Sequence, residues 1–70
     1  MNNMSALAKK LGKRIRELRK KQDSTSEKFA QENGISVGYF CDIENGKRLP
    51  TLEMLEKIAK ALGVPLRELF

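Results

Sequence analysis

Histidine and tryptophan are absent from this 70-residue sequence, and cysteine occurs only once, as Cys41. The absence of histidine excludes acid–base catalysis by an imidazole and every catalytic triad that depends on one. A single thiol cannot form an internal disulfide, and without histidine it cannot complete a zinc site of the usual kinds. No nucleophile–base pair and no phosphate-binding glycine loop is recognisable either. We therefore expect a protein that is not an enzyme and that needs no metal or cofactor.

Long apolar runs are missing as well. No stretch approaches the ~18 apolar residues of a membrane span, and residues 1–13 lack the apolar centre and cleavage site of a secretory signal. We expect a cytoplasmic protein with no membrane partner and with the thiol of Cys41 reduced. Repeats and low-complexity segments are also absent. The sequence thus predicts a single domain, residues 1–70, in which residues 1–4 are frayed.

Basic residues are plentiful and unevenly placed. The net charge is +5, yet residues 9–21 contain eight basic residues and one acidic residue, a local charge of +7. The remaining residues therefore carry a net charge of −2, which is +5 minus +7. Such a cluster suits phosphate groups, anionic lipid or an acidic protein partner, and it also suits a solvated helix face with no partner at all.

The hydrophobic pattern predicts an all-α fold. Apolar residues in the first helix recur every three or four positions at Leu7, Leu11, Ile15 and Leu18, which places them on one stripe. Serine or threonine precedes the second, third and fourth predicted helices, where such residues act as N-caps. The predicted helices span residues 5–21, 26–33, 37–45, 52–62 and 65–69.

The most informative segment is a pair of short helices joined by Asn33-Gly34-Ile35-Ser36. Helices this short are unstable alone and need the other helices as a platform. A helix held across another by a tight glycine turn can enter the major groove of DNA. The sequence here resembles the phage repressor/Cro-type (XRE) helix-turn-helix family. The matching residues are 11–19, Phe29-Ala30, Gly34-Ile35-Ser36, Tyr39-Phe40, 42–48 and 50–64.

The resemblance implies a compact five-helix, lambda-repressor-like domain whose third helix is the recognition helix. It implies that four residues face the DNA bases: Ser36, Val37, Gly38 and Asp42. It places Ser26, Asn45, Lys47 and Arg48 at the phosphate backbone. It also pairs Arg19 with Glu44 as a structural ion pair between the first and third helices.

Two further residues are candidate phosphate contacts. Lys13 belongs to the basic first helix. The Tyr39 hydroxyl can donate to a phosphate oxygen, although a half-buried tyrosine that only packs is an equal alternative.

The sequence departs from the family pattern near the predicted interface. Ser26 stands where glutamine is usual, and Ser24 and Asn33 stand where the family has leucine-like residues. Val37 and Gly38 replace polar or basic residues, and neither can form a bidentate contact with a base. We therefore expect modest sequence specificity that depends partly on DNA shape and on phosphate contacts.

These features favour a sequence-specific regulator of transcription, a repressor, that binds double-stranded DNA with its third helix in the major groove. We expect a homodimer formed through Leu66, Leu69 and Phe70 on a two-fold symmetric operator. The alternative is a protein-interaction module that keeps the fold and has weak or lost DNA binding. A membrane-surface or RNA-binding role is less well supported, because an interfacial aromatic face and RNA-module signatures are absent.

Overall fold

The computed structural model describes residues 3–70, with side chains from Ala6 onward. It contains four α-helices, α1 (Asn3–Lys20), α2 (Ser26–Glu32), α3 (Val37–Glu44) and α4 (Leu52–Leu62), followed by a 3₁₀ turn at Leu66–Leu69. Within this range there is no strand. Of the residues predicted to be frayed, Met1 and Asn2 lie outside the described residues, whereas the backbone of Asn3 and Met4 is helical.

The predicted fifth helix is wrong, because its residues form a single 3₁₀ turn. The amide of Glu68 donates to the carbonyl of Pro65 at 2.9 Å, and the amide of Phe70 donates to that of Arg67 at 3.2 Å. Both bonds join residues three apart, which is the 3₁₀ pattern. The turn also lacks a side-chain cap at its start, so nothing local extends it into a full α-helix.

Side-chain caps set the starts of the three inner helices. Thr25 accepts a hydrogen bond from the amide of Lys28 at 3.1 Å, and Thr51 accepts one from the amide of Met54 at 3.1 Å. Ser36 caps α3 in the same way. Each cap satisfies a backbone donor that the first helical turn leaves without a partner. Of the two neighbouring residues Ser24 and Thr25, it is Thr25 that caps α2.

The core is formed by buried side chains from all four α-helices and from the 3₁₀ turn. Phe29 of α2 stacks on Phe40 of α3 with their ring centroids 5.0 Å apart. Leu7 does not belong to this core, since it is 41% exposed, and Ala8 is buried instead. The remaining predicted stripe of α1 is buried together with the apolar faces of the other helices: Leu11, Ile15, Leu18, Ala30, Ile35, Ile43, Leu55, Ile58, Ala59, Leu62 and Leu69.

One close backbone approach fixes α1 on α3. A Cβ atom on Gly12 would lie 2.2 Å from the carbonyl oxygen of Ile43 and 2.6 Å from that of Glu44. Any side chain at this position would therefore force the two helices apart, because backbone atoms cannot move aside. The glycine lets α1 support the last turn of α3 directly.

Candidate nucleic-acid interface

A short turn holds α2 and α3 at a defined angle. Gly34 adopts a φ of 65°, which a side chain would disfavour. The amide of Ile35 donates to the carbonyl of Ala30 at 2.8 Å, and the Ile35 side chain is buried. Asn33, at a position where an apolar residue was expected, donates from Nδ2 to the carbonyl of Phe29 at 2.8 Å. The same carbonyl also accepts from the backbone amide of Asn33, so the asparagine side chain adds a second hydrogen bond at the end of α2.

The outer face of α3 is accessible. Ser36 and Gly38 are exposed, and a Cβ atom on Gly38 would meet nothing within 4 Å. Asp42 is half-buried beside them, whereas Val37 is half-buried and packs against the core. Ser36, Val37 and Gly38 thus lie at the start of α3 and Asp42 lies one turn further along the helix, and Val37 is the least available of the four.

Ser36 keeps a donor for a ligand. Its Oγ accepts from the amide of Tyr39 at 3.4 Å. A hydroxyl that accepts in this way still has its own proton free to donate. Ser36 can therefore cap α3 and contact DNA at the same time.

Cys41 was missed as a residue of this face. It is half-buried and lies three positions after Gly38 and one before Asp42. Helical periodicity carried through residues 37–45 places Gly38, Cys41 and Asp42 on the side opposite Phe40 and Ile43. That signal is present in the sequence, where Cys41 was considered only as a thiol.

The loop that follows α3, residues 45–50, is called the basic loop below. Gly46 has a φ of 73°, and the amide of Lys47 donates to the carbonyl of Asp42 at 2.9 Å. Pro50 is buried at the other end of the loop. Three of the predicted phosphate contacts in this loop are exposed: Asn45, Lys47 and Arg48.

Tyr39 lies next to the basic loop. Its ring packs partly against the core, and the Cζ atom of Arg48 lies 5.3 Å from the ring centroid. This separation is within the range of a cation–π contact. The two residues are nine positions apart in the sequence, and no periodicity argument pairs them.

The basic first helix reaches the interface through Lys9. A Cβ atom on Gly46 would lie 2.7 Å from Cγ and 2.9 Å from Cα of Lys9, so the basic loop rests on the N-terminal half of α1. Lys13, the predicted contact, is exposed but lines a shallow depression on α1 that Phe70 completes. Lys9 is therefore an α1 residue in direct contact with the basic loop, and the sequence alone did not distinguish it from its basic neighbours.

Arg19 and Glu44 form a buried bidentate ion pair. Nε of Arg19 donates to Oε2 of Glu44 at 2.6 Å, and Nη2 donates to Oε1 at 3.1 Å. Nη1 of the same arginine donates to the backbone carbonyl of Ser24. Arg19 and Glu44 are only 5% and 7% exposed, so the pair joins α1 to α3 inside the protein.

Ser26 completes this network. Its hydroxyl donates to Oε1 of Glu44 at 2.7 Å. The Ser26 side chain therefore points inward, and its hydroxyl proton is not available to a phosphate. The predicted contact of Ser26 with phosphate would have to come from its backbone.

The predicted dimer residues differ in their exposure. Leu69 is completely buried in the monomer core, which removes it from any dimer surface. It is buried because the 3₁₀ turn folds back onto α1, where Nε of Arg14 donates to the carbonyl of Glu68 at 2.8 Å. Leu66 is half-buried and Phe70 is 53% exposed. Leu52, not anticipated as a surface residue, is 63% exposed.

The described residues include neither a helix that could span a membrane nor a group of side chains that could hold a metal ion. None of its helices combines the length and the apolarity that a bilayer crossing requires. Among the same residues, no group of three or more His, Cys, Asp or Glu side chains could hold a metal ion.

Comparison with known proteins agrees with this geometry. The profile of the helix-turn-helix family HTH_3 matches residues 15–69. Control protein C.MunI from a Mycoplasma species is 41% identical over 68 residues, which cover 96% of this chain and 92% of that protein. The phage repressor RstR of Vibrio cholerae is 39% identical over 56 residues, covering 80% of this chain and 50% of RstR.

A solved structure is similar over almost its whole length. The restriction-modification controller protein C.AhdI from Aeromonas hydrophila superposes with a TM-score of 0.90 at 35% identity, covering 99% of this chain and 100% of that one. The family match, the relatives and the exposed third helix lead to the same conclusion. This chain belongs to the helix-turn-helix family and is a DNA-binding regulator of transcription.

Proposed function

We propose that the protein is a repressor-type controller that binds a two-fold symmetric operator as a homodimer, with α3 in the major groove. The observation that carries this proposal is the accessible start of α3 together with the exposed basic loop that follows the helix. A helix enters the groove with its first residues at the base edges, while cations next to it neutralise phosphates. Its place of action is the cytoplasm, where bacterial DNA lies.

The genes under control are those of a restriction-modification system. This part of the proposal is supported by the similarity to C.AhdI, which extends over both chains nearly end to end. C.MunI, also a control protein, matches over a similar share of its length. The repressor character is supported by the relative RstR, which is a transcriptional repressor.

The proposed contacts follow from position and chemistry. The Ser36 hydroxyl and the Asp42 carboxylate reach base edges, where the carboxylate accepts from the amino group of cytosine. Gly38 allows the backbone to come close, and Val37 offers only the part of its side chain that the core leaves uncovered. With so few polar side chains at the bases, part of the specificity must come from DNA shape.

Phosphate contacts come from the basic loop and from α1. Lys47 and Arg48 supply most of the charge, together with the Asn45 amide. Lys9 lies against the same loop, and Lys13 is one helical turn further along α1. We assign the role of Ser26 to its backbone, since its hydroxyl bonds to Glu44.

A homodimer would use Phe70 and the exposed part of Leu66. Leu66 begins the 3₁₀ turn and Phe70 directly follows it. On a two-fold operator the half-sites would be about 34–36 Å apart, one helical turn of DNA.

The decisive experiment is selection from a random-sequence duplex pool, followed by titration of the selected duplex at several salt concentrations. We expect an enriched palindromic motif and an affinity that falls steeply with salt, because each neutralised phosphate contributes about −0.9 to the slope of log K against log salt. The double variant Lys47→Gln/Arg48→Gln should flatten this slope by about 1 to 2 per protomer. Lys60→Gln, which removes an exposed charge from α4, is the control and should leave the slope nearly unchanged.

Two outcomes would contradict the proposal. Failure to enrich any motif, with weak binding even at low salt, would favour a protein-interaction role. An enriched motif without two-fold symmetry would contradict the homodimer while leaving DNA binding intact.

A further inference from the structure

We infer that Tyr39 is a positioning residue: its ring holds the Arg48 guanidinium in the conformation that contacts DNA, and its hydroxyl is not itself a DNA contact. This inference rests on the proposed function. It begins from the 5.3 Å separation between Cζ of Arg48 and the centroid of the Tyr39 ring.

The ring is a fixed support. Tyr39 lies in the first turn of α3, and its side chain packs partly against the core. Its amide donates to the Ser36 cap. The fixed backbone of Tyr39 and its packing against the core therefore hold the ring in place, and one face of the ring remains free to contact Arg48.

The backbone of Arg48 is also held. The amide of the preceding Lys47 bonds to Asp42, the following Leu49 packs partly against the core, and Pro50 is buried. What remains free is the long side chain of Arg48, which is exposed. Between the side chains that the structure describes, the ion pairs involve Arg14 and Arg19, and none involves Arg48.

Stacking on an aromatic ring restrains an arginine without using its hydrogen bonds. A guanidinium group that stacks on a ring presents its face to that ring, while its N–H donors point outward along the edge. A carboxylate partner would instead occupy those donors and cancel the charge. Arg48 therefore remains a full cation with free donors, suited to phosphate oxygens.

The benefit is entropic. A mobile arginine loses its rotamer freedom when it binds DNA, whereas a restrained one has already lost much of it. From the usual entropy of fixing a long side chain, we expect the ring to improve affinity by about 2- to 10-fold for each protomer. Because the charge of Arg48 is unchanged, the ring should affect the affinity more than the salt slope.

A double-mutant cycle tests this inference on the operator selected with the wild-type protein. The variants are Tyr39→Leu, Arg48→Gln and their combination, with Tyr39→Phe as the conservative variant. Dissociation constants are measured at a fixed salt concentration, and salt slopes are measured for each variant. Thermal unfolding of each free variant shows that it is folded at the titration temperature.

We expect Tyr39→Phe to bind within about 2-fold of the wild type, because the ring face is kept. Tyr39→Leu should weaken binding by about 2- to 10-fold when Arg48 is present and should have little effect in the Arg48→Gln background. The salt slope should become shallower with Arg48→Gln and not with Tyr39→Leu.

Three results would overturn the inference. If Tyr39→Phe loses as much affinity as Tyr39→Leu, the hydroxyl is a direct phosphate contact. If Tyr39→Leu weakens binding equally with and without Arg48, the ring acts independently of the arginine. If the wild-type protein selects no duplex at all, the proposed function fails and this inference fails with it, which distinguishes that result from a loss of coupling alone.

Discussion

At the scale of single residues, two of the departures from the family pattern near α2, Ser24 and Ser26, contact one buried ion pair. Arg19 donates to Glu44 and to the carbonyl of Ser24, while the Ser26 hydroxyl donates to Glu44. In the part of the chain with described side chains, no buried polar side-chain atom lacks a partner. A buried charge is tolerated only with such partners, so the network is sensitive to the loss of any charged member.

Removing the arginine of this network should destabilise the protein severely. Arg19→Met leaves the Glu44 carboxylate buried without its cation, and we expect the free energy of unfolding to fall by about 3–5 kcal/mol. Arg14→Met is the matched control on the same helix. It breaks the partly exposed pairs with Glu17 and Glu68 and the hydrogen bond to the Glu68 carbonyl, and should lower stability by about 0.5–2 kcal/mol. Urea unfolding of both variants makes the comparison, and equal losses would contradict a special role for the buried pair.

At the scale of elements, two glycines within helices have opposite surroundings. Gly12 is pressed against the carbonyl groups at the end of α3, whereas Gly38 faces open space on the outer side of α3. Helix propensity alone treats both as equally unfavourable. Only the packing of α1 on α3 explains why one of them is required.

Alanine should therefore act in opposite directions at these two positions. We expect Gly12→Ala to lower the free energy of unfolding by about 1–3 kcal/mol, because its Cβ would overlap backbone atoms. Gly38→Ala should raise it by about 0.4–1 kcal/mol, because the new methyl group meets nothing. Thermal or urea unfolding measures both effects. A stabilising Gly12→Ala would show that α1 and α3 do not approach as closely as described.

The position of Cys41 offers a direct test of how α3 binds. It is the only cysteine of the chain and is half-exposed on the outer side of α3. Coupling a bulky maleimide to it should abolish binding to the selected duplex, because the major groove, ~12 Å wide, admits one helix with little spare room. Bound duplex should in turn slow the reaction of the thiol. Cys41→Ser treated with the same reagent is the control, and unchanged binding after complete labelling would place α3 elsewhere.

At the scale of the whole molecule, the exposed Phe70 lies apart from the basic loop. The basic loop and Lys9 lie together at the end of α3, whereas Phe70 lies further along α1, in a depression lined by Lys10, Lys13, Arg14 and Glu17. A protein that binds a two-fold operator needs both a DNA surface and a surface for its second copy. The exposed Phe70 is the strongest candidate for the latter.

Self-association should depend on Phe70. We expect Phe70→Asn to raise the dimer dissociation constant by about 10-fold or more, since burial of a large apolar side chain contributes about 1.5–3 kcal/mol. Leu7→Asn, which changes another exposed apolar residue, should have little effect. Sedimentation equilibrium measures both constants. If neither substitution alters the association, the dimer surface lies elsewhere, and the exposed Leu52 becomes the next position to test.

The sequence by itself determined the α-helices, their caps and the order of the segments around the turn. These features are local: periodicity defines an apolar face, and a threonine or serine caps the amide groups next to it. The same local signals also predicted a fifth helix at residues 65–69, where the structure has only a 3₁₀ turn.

The tertiary structure alone decided which of the apolar residues are buried. Leu7 continues the apolar stripe of α1 and is exposed, whereas Leu69, expected on a dimer surface, is completely buried. Likewise, only the packing brings Arg48 over Tyr39 and Lys9 against Gly46. The physical reason is that local propensity depends on neighbours along the chain, whereas burial and side-chain pairing depend on which distant segments come into contact.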